Sequence, residues 1–147
     1  MNGSNLAVVD ASVVFKWQLD DEDCVIQARV LRNDFDGRHA IKVIAPILLA
    51  YELANALAMS ARRKRITPAS AAEAMDNLMA LGIELKEVNP ARVLLVALEH
   101  GLTAYDATYV ALAEAKGCSL WTGDRQLYSA VSGKLPWVRW IRDYKSA

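Results

Sequence analysis

Short apolar, β-branched runs alternate along this chain with longer stretches of helical periodicity, and that alternation limits the fold more than any other feature. Strands are expected at residues 6–9, 42–45, 83–88 and 119–122, with an edge strand at 137–141 after Pro136. Helices are expected at residues 11–19 and 23–36, separated by the acidic run at 20–23. A third opens with Pro46 in its first turn and runs to about residue 63. Others follow Thr67-Pro68, cover residues 91–100 up to Gly101 and 104–116 up to Gly117, and fill residues 125–132. Strands separated by helices imply crossover connections, hence an α/β fold: a three-layer α/β/α sandwich around a central, mainly parallel sheet. With 147 residues and neither internal repeat nor long linker, residues 1–147 read as a single domain.

Composition narrows the class. Apolar residues make up 54% of the chain and charged residues 23%, which excludes compositional disorder. The 17 basic residues balance 17 acidic ones, which argues against coating nucleic acid by bulk charge and leaves room for a local basic patch. Cys24 and Cys118 stand far apart in no metal-ligand spacing, so reduced thiols are expected. The first residues lack the basic start of a signal peptide, and Pro46, Glu52 and Asn55 interrupt the most apolar stretch, residues 43–61. A cytoplasmic protein with no membrane span is the expectation. His39 and His100 read as surface residues, and Trp17, Trp121, Trp137 and Trp140 as core or interface residues rather than base-stacking platforms.

Four carboxylates stand out by isolation. Asp10 is the sole charged residue of the first fifteen, and Glu52 of residues 43–61. Asp106 is the sole charge from Gly101 to Ala113, and Asp124 follows six uncharged residues. Burying such groups without a cation or several donors is costly. Asp106 shares a helix face with Tyr109, Val110 and Ala113, and Glu52 sits in a helix apolar nearly all round, so both point inward. Asp10 and Asp124 lie at strand ends, where open α/β sheets place their sites. Each acid has a local alternative. Asp10 and Asp124 can cap the helices that follow, Asp106 fits a capping box begun by Thr103, and Glu52 can be a buried, hydrogen-bonded acid. Convergence of all four at one crevice would favour a hard divalent cation, Mg²⁺ or Mn²⁺.

Val8-Val9-Asp10-Ala11-Ser12, Tyr51-Glu52-Leu53-Ala54-Asn55, Leu102-Thr103-Ala104-Tyr105-Asp106-Ala107-Thr108-Tyr109 and Leu120-Trp121-Thr122-Gly123-Asp124 resemble the motifs of PIN domains, in the family's order. The resemblance is strongest to the small VapC-like toxins of toxin–antitoxin pairs. It implies a Mg²⁺- or Mn²⁺-dependent endoribonuclease, usually a homodimer, that cleaves RNA and is neutralised by a cognate VapB-like antitoxin. By position, Asp10, Glu52, Asp106 and Asp124 match the family's acidic, metal-holding residues, and Ser12 and Thr122 its supporting hydroxyls. Arg125, beside the fourth acid, is unexpected there and suits either weakened metal binding or a phosphate contact.

Arg62-Arg63-Lys64-Arg65 is the densest basic run; it suits RNA phosphate contacts or a solvated helix end complementing the macrodipole. The alternative to a nuclease is a PIN-like scaffold that works through protein partners. An aspartyl-phosphate mechanism is disfavoured, because Asp10 lacks an acidic partner beside it, and no P-loop is present.

Overall fold

The computed structural model describes residues 5–18 and 23–147. The acidic stretch at residues 20–22 and the first four residues lie outside the described residues, and with them the break expected between the first two helices. Five strands, β1 (Leu6–Val9), β2 (Lys42–Pro46), β3 (Glu84–Lys86), β4 (Ser119–Thr122) and β5 (Val138–Trp140), form one sheet ordered β3-β2-β1-β4-β5. Every pairing is parallel. Helices α1 (Ala11–Phe15), α2 (Val25–Arg32), α3 (Leu48–Arg62), α4 (Pro68–Met79), α5 (Pro90–His100), α6 (Ala104–Lys116) and α7 (Arg125–Val131) complete the α/β/α sandwich. Coverage on both faces explains why β1, β2 and β4 are apolar runs rather than alternating ones: Val8, Val9, Val43, Ala45 and Leu120 are all nearly inaccessible.

Several boundaries differ from expectation. Pro46 ends β2 instead of opening α3. It lies opposite Lys86 in the register, and the N–H of Ile47 donates to the Lys86 carbonyl at 3.0 Å, so the donor that proline lacks is not needed there. The outer strands are shorter than their apolar runs suggested, at 84–86 and 138–140. The first helix spans only Ala11–Phe15. The helix expected at 23–36 begins at Val25 and widens at Asn33 into a π-helical turn, Asn33–Gly37, closed by the Arg38 N–H on the Asn33 carbonyl at 2.7 Å. Within that turn Asp34 is fully buried. It accepts from Tyr144 Oη (2.7 Å), Ala147 N (2.8 Å), Ser146 Oγ (2.9 Å) and Arg38 Nη1 (2.7 Å), tying the last residues to the turn.

Helix ends follow local chemistry. Thr67 and Thr103 accept the N–H groups of Ser70 and Asp106, and Asn89 those of Ala91 and Arg92. Gly101 and Gly117 close α5 and α6 at φ 64° and 62°, a conformation that costs other residues energy. The chain winds outward from β1 to β2 and β3, then crosses to β4 on the other side of β1. That reversal opens a crevice at the carboxyl ends of β1 and β4, the switch point where α/β sheets hold their ligands.

Candidate active site

Asp10 follows the last residue of β1 and is only 5% exposed. Its carboxylate is gripped on both oxygens. Ser12 Oγ donates to Oδ1 and Thr122 Oγ1, from the end of β4, donates to Oδ2, each at 2.5 Å. The N–H of Val13 reaches Oδ1 at 3.3 Å, so Asp10 does cap α1 while also forming the floor of the crevice. The lattice continues: Gly123 N–H donates to Ser12 Oγ (2.8 Å) and Asp124 N–H to Thr122 Oγ1 (3.0 Å). The two hydroxyls therefore stitch the β1 and β4 ends together through one carboxylate.

Burial, against these hydrogen bonds, pushes the Asp10 carboxyl up from 3.8 to about 6, and the charge of Asp124 adds to the shift. Asp106, half-buried on the first turn of α6, is likewise raised to about 6, first by burial and then by the charges of Asp124 and Glu52. Mutual repulsion thus links all four acids in one electrostatic cluster. Asp124 also caps α7, accepting from Gln126 N at 2.9 Å. The capping alternative fails for Asp106: Thr103 accepts its N–H, but its own carboxylate accepts no hydrogen bond from the described residues. Glu52, on α3, accepts from Tyr109 Oη at 2.5 Å. The helix around it is less enclosed than its composition suggested, with Tyr51 70% exposed and Asn55 in solvent.

The donor set is chemically specific. It offers carboxylate and hydroxyl oxygens alone, and none of the four acids pairs with a described Lys or Arg. Oxygen donors with excess negative charge suit a hard divalent ion rather than zinc. As placed, no group of three acidic, His or Cys side chains among the described residues is drawn together tightly enough to hold an ion. Gathering around a cation would relieve the repulsion that adds to the effect of burial on Asp10 and Asp106.

Two residues near the site escaped the sequence reading. Tyr109 was visible only as part of an apolar face, yet its hydroxyl fixes Glu52, and burial with the Glu52 contact holds that phenol protonated. The signal was its position three residues after Asp106 on one helix face. Lys16, 7% exposed, lies one turn beyond Ser12 and passes against Gly123, where an added Cβ would stand 2.8 Å from its Cε. Arg125 turns away from Asp124 and places its guanidinium 5.6 Å from the Trp140 ring centre. The basic run Arg62, Arg63, Lys64 and Arg65 is exposed where α3 ends, Arg62 lying ten residues and about 15 Å along the helix from Glu52. Trp17 and Trp121 are buried, and Trp137 and Trp140 partly so. His39 is exposed, but His100, expected at the surface, is only 11% exposed at its side chain because it closes α5 against α6. Both cysteines are free. Among the described residues no helix is long and apolar enough to cross a membrane.

Comparison with known proteins gives a consistent picture. The sequence model of the PIN domain matches residues 7–132. Ribonuclease VapC3 of Pyrobaculum aerophilum is 45% identical over 124 residues, covering 82% of this chain and 90% of that protein. Ribonuclease VapC9 of Mycobacterium tuberculosis is 32% identical over 131 residues, 89% of this chain and 95% of its own. Exonuclease VapC9 of P. aerophilum is 36% identical over 98 residues, 67% of this chain and 74% of the other. The crystal structure of PAE2754 from P. aerophilum superposes with a TM-score of 0.68 at 31% identity, covering 90% of this chain and 85% of that one.

Proposed function

The chain belongs to the PIN domain family, and on that premise we propose that it is a divalent-metal-dependent endoribonuclease, the toxin of a VapBC-type pair acting in the cytoplasm. The observation that carries the proposal is the set of four carboxylates around the β1–β4 switch point, linked by repulsion and paired with no described cation. A structural ion-pair network would have brought its own cations, and a set of helix caps would have left Asp106 hydrogen-bonded.

Asp10, Glu52 and Asp106 are the residues that would hold Mg²⁺ or Mn²⁺, with Asp124 either completing the set or orienting water. A bound ion supplies positive charge against the phosphodiester and lowers the pKa of water. The chain's own contribution is preorganisation. Ser12 and Thr122 fix both oxygens of Asp10, leaving its remaining lone pairs toward the crevice. Tyr109 fixes one oxygen of Glu52 and leaves the other free. The carboxylate of Asp106, without a hydrogen-bonded partner, is the one able to swing onto a ligand or accept a proton from an attacking water.

The RNA substrate and a VapB-like antitoxin are carried over from relatives named VapC. Homodimerisation is supported by Leu94, Leu95 and Leu98, which share one side of α5 and are 58%, 55% and 73% exposed. Cleavage of a structured RNA pool in Mg²⁺, in Mn²⁺ and in EDTA, by wild type and Asp106→Asn, tests the proposal. Cleavage by wild type alone, abolished in EDTA, is expected. A folded wild type that is inert in both metals and shows no metal-induced thermal stabilisation would instead support a scaffold.

A further inference from the structure

Beside the acidic crevice, across the backbone of Gly123, lies a second pocket of about 310 Å³ with the opposite charge. Lys16, Arg125 and Arg142 line it, and Asp23 is the one carboxylate among its described lining residues. We propose that this pocket binds an RNA phosphate neighbouring the scissile one; the inference rests on the nuclease reading above and names how the substrate would be held.

Lys16 is the central observation. Its stem is packed in, 93% of the residue being covered, yet the ammonium forms no ion pair with a described residue. A lysine whose stem is packed while its head group lines a pocket keeps its charge available to a ligand there. The packed stem also removes most of the rotamer freedom that binding would otherwise have to freeze. Gly123 is part of the same arrangement: it leaves the backbone between Thr122 and Asp124 bare on the pocket side, and a Cβ there would stand 2.8 Å from Lys16 Cε and push the lysine's tip aside.

The other two cations are held by arrangements that leave them available. Arg125 rests its charge on the face of Trp140, so it is steered into the pocket rather than onto the neighbouring Asp124. Arg142 is exposed at the pocket edge on the short 3-10 turn after β5, beside Cys24 and within the field of Asp23 and Asp143, and forms no ion pair with a described residue. Electrostatics then divide the labour. A strand crossing the crevice brings several phosphates, and only the one facing the metal-holding acids can be neutralised there. The next phosphate along is repelled by those acids and needs cations of its own, which the pocket supplies one residue away.

Lys16→Met keeps the apolar stem and removes the charge, and Arg142→Gln and Arg125→Gln give exposed alternatives, the second also losing the contact with Trp140. RNA binding is read by fluorescence anisotropy of a labelled single strand on the full chain in EDTA, with KM and kcat measured in Mg²⁺. Each variant is expected to raise Kd and KM roughly tenfold, the size of one lost charge-assisted hydrogen bond. The salt dependence of log Kd should become shallower by about 0.7 when one phosphate contact is lost. Thermal stabilisation by Mg²⁺ should stay as in wild type, because the acids are untouched.

A methylphosphonate placed beside the cleavage site gives the second arm. It should weaken wild type more than any single variant does, and weaken Lys16→Met less than it weakens wild type, because the two arginines remain to lose their contact. Equal weakening of wild type and variant by the neutral linkage overturns the pocket assignment. So does a variant with unchanged KM and salt slope but lowered kcat, which would mean that Lys16 only shapes the loop under Asp124. Failure of wild type itself to cleave any RNA would overturn the nuclease reading instead, and would be visible before any variant is made.

Discussion

Replacing Asp10 by Asn should make the metal-free protein more stable at neutral pH, even though it removes a residue assigned to the site. The buried carboxyl holds its proton up to about pH 6, whereas the unfolded chain gives it up near 3.8. The stability this group contributes is therefore fully present below 3.8 and is lost as pH rises through 6. A rise of roughly two pKa units corresponds to about 3 kcal/mol. At 2–4 °C per kcal/mol for a domain of this size, the melting temperature should change by about 6–12 °C. The amide has nearly the same shape and needs no charge, and the hydroxyls of Ser12 and Thr122 can rotate to suit it. Asp106 and Asp34 titrate in both proteins and drop out of the difference.

The assay is thermal unfolding of wild type and Asp10→Asn in EDTA from pH 4 to 8, followed by Mg²⁺ or Mn²⁺ addition at pH 7.5. The variant should melt higher at pH 7.5, the gap should close toward pH 4, and only wild type should gain from metal. If the variant is less stable than wild type at pH 7.5 in EDTA, or the gap is independent of pH, burial is not what raises Asp10, and the account of the site as a charge held in readiness fails.

Tyr109→Phe removes the donor that fixes Glu52. Metal affinity measured by titration calorimetry should fall by about 10–100-fold, the usual effect of losing a partner behind a ligand, with a stability cost near 1 kcal/mol. At Asp34 burial opposes ionisation, but hydrogen bonds from Tyr144, Ala147, Ser146 and Arg38 outweigh it and hold the carboxyl down at about 2. Its contribution is present above 3.8 and lost as pH falls through 2. Asp34→Ala should cost about 3–5 kcal/mol in urea unfolding at pH 7 and loosen the last four residues, read as faster amide exchange at Ala147. Leu98→Glu on the exposed side of α5 should shift a dimer to monomer in sedimentation equilibrium without changing the melting curve of the monomer. An unchanged mass would place the dimer interface elsewhere or exclude it.

Much of this was legible in the sequence because it is local. Element types follow from periodicity over five to fifteen residues. Gly101, Gly117, Thr67 and Thr103 fix helix ends through their own backbone or hydroxyl. The four acids were conspicuous because an isolated charge in an apolar stretch is expensive wherever the chain goes. The capping alternatives for Asp10 and Asp124 were also correct, since one carboxylate can serve a helix start and a crevice at once. Tertiary structure alone decided who meets whom. No local pattern sends Thr122 to Asp10 across 112 residues, Tyr109 to Glu52 across 57, or Lys16 to the bare face of Gly123. Propensity and patterning act within a few turns of chain, whereas the electrostatics of the site depend on strand order, which brings β1 and β4 side by side.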